Sequence, residues 1–198
     1  MPRSHPVSRR DFLRTTAAGL LALPLMQLPP LWGISLRVFT NDEAATVNAM
    51  CDRLVPPDED PGAAWAGVVQ FIDRKLAGYY RRYLPLYRAG LQGVHESSHA
   101  LYQKDFVALT LGQQDALLHQ MESNQAPGAT WKTTPSSGFF NVLLDHTLQG
   151  FYGGPRHGGN REMISWRMLG LSTPPLRSQR PLEAVWAPKP SASPDPKP

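Results

Sequence analysis

The chain has 198 residues and a formal net charge of +4, and its length fits a single domain. The first 28 residues hold four arginines against one aspartate, so the remaining residues are close to neutral. The sequence therefore contains no basic patch of the kind that would indicate a nucleic acid as partner. The single cysteine excludes an internal disulfide, and the lack of a Cys-x-x-Cys-His motif excludes covalently attached haem c in this chain.

Residues 1–33 have the features of an export signal. Its key residues are Ser8, Arg9, Arg10, Phe12 and Leu13, a pattern typical of the twin-arginine (Tat) pathway, which moves proteins that are already folded. An uncharged run follows, but it is too short and too interrupted to be a good transmembrane helix. A chance pair of arginines on a solvated surface is the alternative. The sequence leaves open whether the signal is cleaved near Gly33 or retained as an anchor.

A capping box opens the first predicted helix. Thr40 is its N-cap, Glu43 stands three residues on, and Pro56 ends a helix of about fifteen residues. Cys51 lies on the apolar positions of this helix, which favours a buried structural thiol over a reactive one. Apolar residues at helical spacing predict the second helix over residues 63–76.

Three or four further helices are predicted. The third begins near Pro85, a good first-turn residue, and ends near residue 103. A second capping box at Thr110 opens the fourth. A polar connection over residues 123–138 then leads to a strongly apolar helix, and Asn160 is predicted to cap a last short one.

No strand pattern of useful length appears, so the predicted fold class is all-α. We expect one compact domain of five to six helices over residues 38–172. Eight prolines fall between residue 174 and the C-terminus, which predicts an extended tail over residues 173–198.

The segment Gly150–Asn160 has the most unusual composition, with five glycines around Pro155, Arg156 and His157. One hypothesis is a ligand loop, in which glycine N–H groups and Arg156 bind an anion and His157 transfers a proton. The alternative, which we favour, is a tight connection between helices or a surface for a partner. Glycine-rich loops serve turns more often than sites.

Two other groups of polar residues have features of metal sites. The acidic turn, residues 57–62, carries three consecutive carboxylates that cannot all face one ion, so a solvated turn is favoured. His95 and His99 are four residues apart, as metal-binding histidines on a helix are, but the sequence supplies no third ligand. With no serine, histidine and aspartate order and no paired carboxylates, the sequence assigns no catalytic residue and no metal site.

Four stretches of the chain occur in a specific order and spacing. The first is the export signal over residues 8–13, and the third covers residues 139–153. The second, over residues 52–73, begins with Asp-Arg-Leu-Val-Pro-Pro-Asp-Glu-Asp-Pro-Gly-Ala. The fourth, over residues 154–170, begins with Gly-Pro-Arg-His-Gly-Gly-Asn. Together they resemble the gluconate 2-dehydrogenase subunit 3 family. The chain departs from that family at His157, where tyrosine is usual, and after Gly170, where Leu-Ser-Thr-Pro replaces Tyr-Pro-Gly.

The resemblance implies a subunit without chemistry of its own. Such subunits carry the export signal for a larger catalytic subunit that holds FAD and oxidises an alcohol, while a cytochrome c subunit passes electrons to quinone in the membrane. The resemblance thus implies FAD and haem c in partner subunits, no cofactor in this chain, and export by the Tat translocase. The implied location is the periplasm, at the inner membrane. The substrate stays open among sugars, sugar acids and alcohols.

A lasting complex needs a contact surface, so we expect a large apolar patch on the isolated chain. We place it at the acidic turn and the Gly150–Asn160 segment, with the contact residues Pro57, Asp58, Asp60, Tyr152, Pro155, Arg156, His157 and Asn160. Two alternatives stay open. The first is a stand-alone exported enzyme or cofactor-binding protein that uses the Gly150–Asn160 segment. The second is an adaptor tethered to the membrane through an uncleaved signal and the proline-rich tail.

Overall fold

Six α-helices and no strand make up the part of the chain that the computed structural model describes, residues 35–171, and this confirms the all-α prediction there. The export signal with Ser8, Arg9, Arg10, Phe12 and Leu13, and the tail over residues 173–198, lie outside the described residues. In chain order the helices are α1 (Asn41–Leu54), α2 (Val68–Leu76), α3 (Leu84–Tyr102), α4 (Leu111–Glu122), α5 (Ser136–Tyr152) and α6 (Ile164–Met168).

Both predicted capping boxes are confirmed. At the start of α1, Thr40 Oγ1 accepts the N–H of Glu43 at 3.2 Å, and Glu43 Oε2 accepts the N–H of Thr40 at 2.8 Å. At the start of α4, Thr110 and Gln113 exchange the same two bonds at 3.3 and 3.0 Å. Each box satisfies two backbone N–H groups that a helix leaves unpaired at its N-terminus.

The second helix begins five residues later than predicted. Residues 63–67 form turns, and α2 starts only at Val68. The reason is Gly67, whose φ of +75° is left-handed and breaks the helical path. The carbonyl of Ala66 accepts instead from the N–H of Arg161 at 3.0 Å, a contact that no local sequence pattern announces.

The fifth helix is longer at its C-terminus than predicted and takes in the start of the Gly150–Asn160 segment. Gly150 and Tyr152 lie in the last turn of α5, not in a loop. A Cβ at Gly150 would stand 3.0 Å from Phe71 and 3.1 Å from Val68, so this glycine lets α5 pack closely on α2. Its conformational freedom is not what the fold uses here, since the backbone is helical.

One apolar core joins the helices. Side chains from α1 to α5 meet in it, with α5 in contact with α2, α3 and α4. Gly90 on α3 sits against the Phe139 ring, where a Cβ would overlap the aromatic carbons. The largest fully buried side chains are Tyr87, Phe139, Phe151, Met50, Ile72, Leu76, Leu117, Met121, Leu143, Val47, Val68 and Val69.

Cys51 is fully buried on α1, which confirms a structural thiol. Burial raises its pKa to about 12, an effect that the hydrogen bond with Thr147 Oγ1 at 3.2 Å only partly offsets. The thiol is therefore protonated at neutral pH and unreactive. Within residues 35–171, no helix combines the length and apolar character needed to cross a bilayer.

A buried carboxylate fixes the segment that leads into α1. Asp73 on α2 is 1 % exposed, and its two oxygens accept the backbone N–H groups of Arg37, Val38 and Phe39 at 2.7, 2.9 and 2.9 Å. Three charge-assisted bonds compensate the burial of the carboxylate. Residues 37–39, close behind the predicted end of the export signal, are thus firmly attached to the helical domain.

Candidate functional site

The glycine-rich loop, residues 153–163, runs from the end of α5 to α6 as two short 3-10 turns, Pro155–His157 and Arg161–Met163. Gly158 between them has φ +108°. A Cβ at Gly159 would overlap the carbonyl oxygen of Gly150 and stand 2.9 Å from its carbonyl carbon. The loop therefore lies against the backbone of α5. Gly159 is required because of this close contact, and Gly158 because of its positive φ.

Asn160 holds this loop from within. Its side chain is fully buried, donates from Nδ2 to the carbonyl of Gly153 at 2.8 Å, and accepts the N–H of Ser165 on Oδ1 at 3.0 Å. The sequence predicted Asn160 as the cap of the last helix. Met163 holds the N-cap position, yet Asn160 does satisfy an N–H of the first turn of α6. Any contact with a partner would therefore be made by its exposed neighbours.

An open groove of about 510 Å³ lies beside the loop, between α2 and α5. We call it the aromatic groove. Around it Tyr79 is 82 % exposed, Tyr152 43 % and Leu148 39 %. Lys75 crosses it, with Nζ 5.4 Å from the Phe71 ring centroid and 5.9 Å from that of Tyr80. The lining residues are Phe71, Lys75, Tyr80, Leu148, Gln149, Tyr152, Gly153 and His157.

A buried histidine supports the floor of the aromatic groove. The His146 ring stacks on Tyr80 with centroids 4.2 Å apart, and its Nδ1 hydrogen-bonds with the hydroxyl of Tyr87 at 3.0 Å. Burial lowers the pKa of His146, so it is neutral at neutral pH. Tyr80 in turn donates its hydroxyl hydrogen to Gln149 Oε1. These contacts hold the groove in a defined shape before any partner binds.

The rim of the groove is basic. Arg156 and His157 are exposed, and Arg156 Nε donates to His157 Nε2 at 3.2 Å. Partial desolvation, followed by the positive charges of Lys75 and Arg156, lowers the pKa of His157. Lys75 at the groove and Arg156 next to His157 thus bring positive charge to the rim, while the carboxylate of Asp145 accepts from the lining residue Gln149 at 2.7 Å. Among the described residues, the hydrogen bond that His157 accepts comes from Arg156 and not from a carboxylate partner.

The acidic turn is built differently and lies apart from the groove. Asp58 is exposed, and its carboxylate accepts the N–H of Asp60 at 2.9 Å, while Pro57 and Asp60 are half-buried. None of these three residues lines the aromatic groove. Of the predicted contact residues, the structure brings Tyr152 and His157 together in the groove, with Pro155 and Arg156 adjacent in sequence.

Comparison with known proteins gives one match. A family model described as gluconate 2-dehydrogenase subunit 3 matches residues 41–172, from the start of α1 past the end of α6. The chain belongs to this family. The matched region includes the aromatic groove and the glycine-rich loop, and the family is a subunit of gluconate 2-dehydrogenase, an oxidoreductase complex. No curated protein and no solved structure matches the chain.

Sequence reasoning missed most of the groove in this subunit. Lys75 and Tyr80 come from the end of α2 and the turn after it, some seventy residues before Leu148 and Gln149 on α5. One signal was available, since Leu148 and Tyr152 are four residues apart and so share a face of one helix. That the end of α2 lies opposite these two residues is visible only in the tertiary structure.

Proposed function

We propose that this chain is the non-catalytic small subunit of a gluconate 2-dehydrogenase-like complex, flavin-dependent, periplasmic and membrane-associated. In this proposal the aromatic groove binds the catalytic subunit, which holds FAD, and a cytochrome c subunit with haem c completes the complex. The small subunit assists assembly and carries the catalytic subunit through the Tat translocase. The family match over residues 41–172 supports membership of such a complex.

The observation that carries the proposal is the exposure of large apolar side chains at a preformed groove. Leu148 and Tyr152 line the groove and are 39 % and 43 % exposed, and Tyr79, which is 82 % exposed, lies beside it with its ring centroid 6.0 Å from Lys75 Nζ. Aromatic side chains and arginine are enriched at the centres of protein interfaces, where tyrosine buries a large area at low entropic cost. The positive rim at Lys75 and Arg156 favours a partner surface that is apolar at its centre and acidic at its edge.

The attachment of residues 37–39 to Asp73 supports the escort role. A signal can carry a second protein only if the domain that grips the partner stays folded and joined to the signal. Asp73 ties the chain to α2 a few residues after residue 33, where the predicted signal ends. The groove begins on the same helix, at Phe71 and Lys75. The same short helix therefore serves both the signal-proximal segment and the proposed contact surface.

Co-purification from membranes tests the contact surface. Leu148→Glu places a charge in the groove, and we expect the chain to lose a co-purifying flavoprotein while its helical circular dichroism is retained. Leu111→Glu is the matched control, because Leu111 is 60 % exposed on α4 and does not line the groove. Retention of the flavoprotein by the Leu148 variant, or its loss from both variants, would refute the groove as the contact.

A second experiment tests the export role. Replacing Arg9 and Arg10 by lysine removes the pattern that the Tat receptor recognises. We expect the dehydrogenase activity to stay in the cytoplasmic fraction, with no change in the amount of catalytic subunit made. If the activity still reached the periplasm, the escort role would be wrong, although the groove could still be the contact in the assembled complex.

A further inference from the structure

The histidine pair that the sequence left without a third ligand acquires one in the folded chain. His95 and His99 lie on one face near the C-terminus of α3, with ring centroids 4.3 Å apart. The carboxylate of Asp105 is next to both rings. Its Oδ1 lies 2.9 Å from His99 Nε2 and 3.3 Å from His95 Nδ1.

Asp105 reaches the helix end because the chain reverses there. Gln103, the C-cap of α3, has φ +55°, which turns the backbone back over the last helical turn. The next residue after Asp105 is Phe106, which is 2 % exposed, and its carbonyl accepts from Gln114 Nε2 at 2.9 Å. A core anchor and a hydrogen bond from α4 thus fix the residue beside Asp105. The fold therefore fixes the backbone beside Asp105, which brings its carboxylate within reach of both histidines.

The three ligand atoms have the spacing of a metal centre. One nitrogen from each of His95 and His99 and one oxygen of Asp105 all lie within 4.8 Å of one another. Around a tetrahedral zinc ion with bonds near 2.0–2.2 Å, ligand atoms are about 3.3 Å apart. The two distances to the carboxylate are close to that value, so small side-chain rotations would suffice to admit an ion.

The charge and exposure of the three groups suit a cation with an open position. The side chains of His95, His99 and Asp105 are 59 %, 45 % and 66 % exposed, which leaves a fourth direction open to water or to an outside ligand. Asp42 lines the adjoining groove and adds negative charge nearby, whereas Glu43 on the same groove is paired with Arg88.

We propose that His95, His99 and Asp105 form a binding site for a divalent transition metal of borderline softness, with Zn²⁺ as the representative ion. Two imidazole nitrogens and one carboxylate oxygen are the donors that such ions prefer over Mg²⁺ or Ca²⁺. Three protein ligands with one open position differ from the closed four-ligand sites that hold a fold together. The site is separate from the aromatic groove, with which it shares no residue.

Zinc titration of the untagged full-length chain tests the site. Calorimetry or competition with a chromogenic chelator should give one Zn²⁺ per chain, and His95→Ala, His99→Ala and Asp105→Asn should each weaken binding at least tenfold. His119→Ala is the matched control. His119 is an exposed helical histidine 3.4 Å from a carboxylate oxygen of Glu122, a single pair without a third ligand. It should bind zinc as the wild type does.

Two outcomes would overturn the site. One is a wild-type chain that binds zinc no better than the His95→Ala/His99→Ala double variant. The other is an equal loss in the His119 control, which would indicate unspecific surface binding. Circular dichroism without metal shows that each variant is folded. A Co²⁺-loaded chain should also show visible absorption bands of a four-coordinate centre, absent from the Asp105→Asn variant. Because the assay needs no partner, its result is independent of the proposed subunit role.

Discussion

The acidic turn and the glycine-rich loop were both predicted from sequence as partner contacts, but they are held in opposite ways. The turn is stabilised by its own backbone and by bonds to nearby residues, such as Asp60 N–H to Asp58 and Ala64 N–H to Asp52 at 3.0 Å. The loop also has local bonds, from Asn160 to Gly153 and Ser165, but the N–H of Arg161 ties it to a distant segment through the carbonyl of Ala66. Local bonds make a turn tolerant of substitution, whereas tertiary contacts make a loop part of the core.

In the loop, the residues that determine the backbone path differ from those that are exposed for contact. Gly159 and Asn160 are buried and determine its path, while Arg156 and His157 are exposed at the groove rim. Substitutions at the first pair should destabilise the fold, and those at the second pair should affect only binding. In the acidic turn Asp58 and Glu59 are exposed, so substitutions at these two carboxylates should have little effect on stability.

The largest effect is expected at Asn160. Asn160→Ala leaves the carbonyl of Gly153 and the N–H of Ser165 without their hydrogen-bond partners. It also places alanine at φ +47°, a left-handed angle that asparagine tolerates better. We expect a loss of about 3 kcal/mol in the free energy of unfolding, measured with urea. Asn160→Gly should recover about 1 kcal/mol of this loss, because glycine accepts the left-handed backbone. Equal losses in both variants would show that the dihedral angle contributes nothing.

Gly159→Ala should have the next largest effect. The new methyl group would meet the backbone of Gly150 at the end of α5, which cannot move without disturbing the helix. Overpacking of this kind costs about 2 kcal/mol. The matched control is Gly154→Ala, whose Cβ would find only side-chain atoms at 3.9 and 4.0 Å. A control that is destabilised as much as Gly159→Ala would contradict the close contact between loop and helix.

The buried His146 beneath the aromatic groove predicts that the free energy of unfolding depends on pH. Because burial lowers the pKa of His146 below 6.5, the unfolded chain binds a proton more readily than the folded one. The titration of His146 therefore leaves the free energy of unfolding unchanged above pH 6.5 and lowers it as the pH falls below that value. Urea midpoints at pH 7.5 and 5.5 should differ less in His146→Gln than in the wild type. The exposed-histidine control His119→Gln should retain the wild-type difference.

The smallest effect is expected in the acidic turn. Asp58→Ala removes one exposed hydrogen bond to the N–H of Asp60, and we expect the free energy of unfolding to change by less than about 1 kcal/mol. Glu59→Ala, at an exposed neighbour, is the control and should change it less. A loss at Asp58 as large as that at Asn160 would remove the contrast between the two regions.

The sequence predicted the elements with strong local signals and failed where distant residues decide. Both capping boxes and the buried thiol of Cys51 follow from neighbouring residues, and all are confirmed. The start of α2 was wrong because Gly67 adopts its left-handed angle in the context of a loop nearly a hundred residues later. The end of α5 was wrong because glycine was interpreted as a loop former, whereas Gly150 serves helix packing.

The helical class, the family and the composition of the loop beside the aromatic groove follow from the sequence alone. These depend on periodicity, caps and motif order, which are readable along the chain. Only the tertiary structure decided that Lys75 and Tyr80 meet Leu148, and that Asp105 completes the pair of His95 and His99. Side chains from separate segments are brought together by core packing and chain reversal, and a linear pattern carries no distance between them.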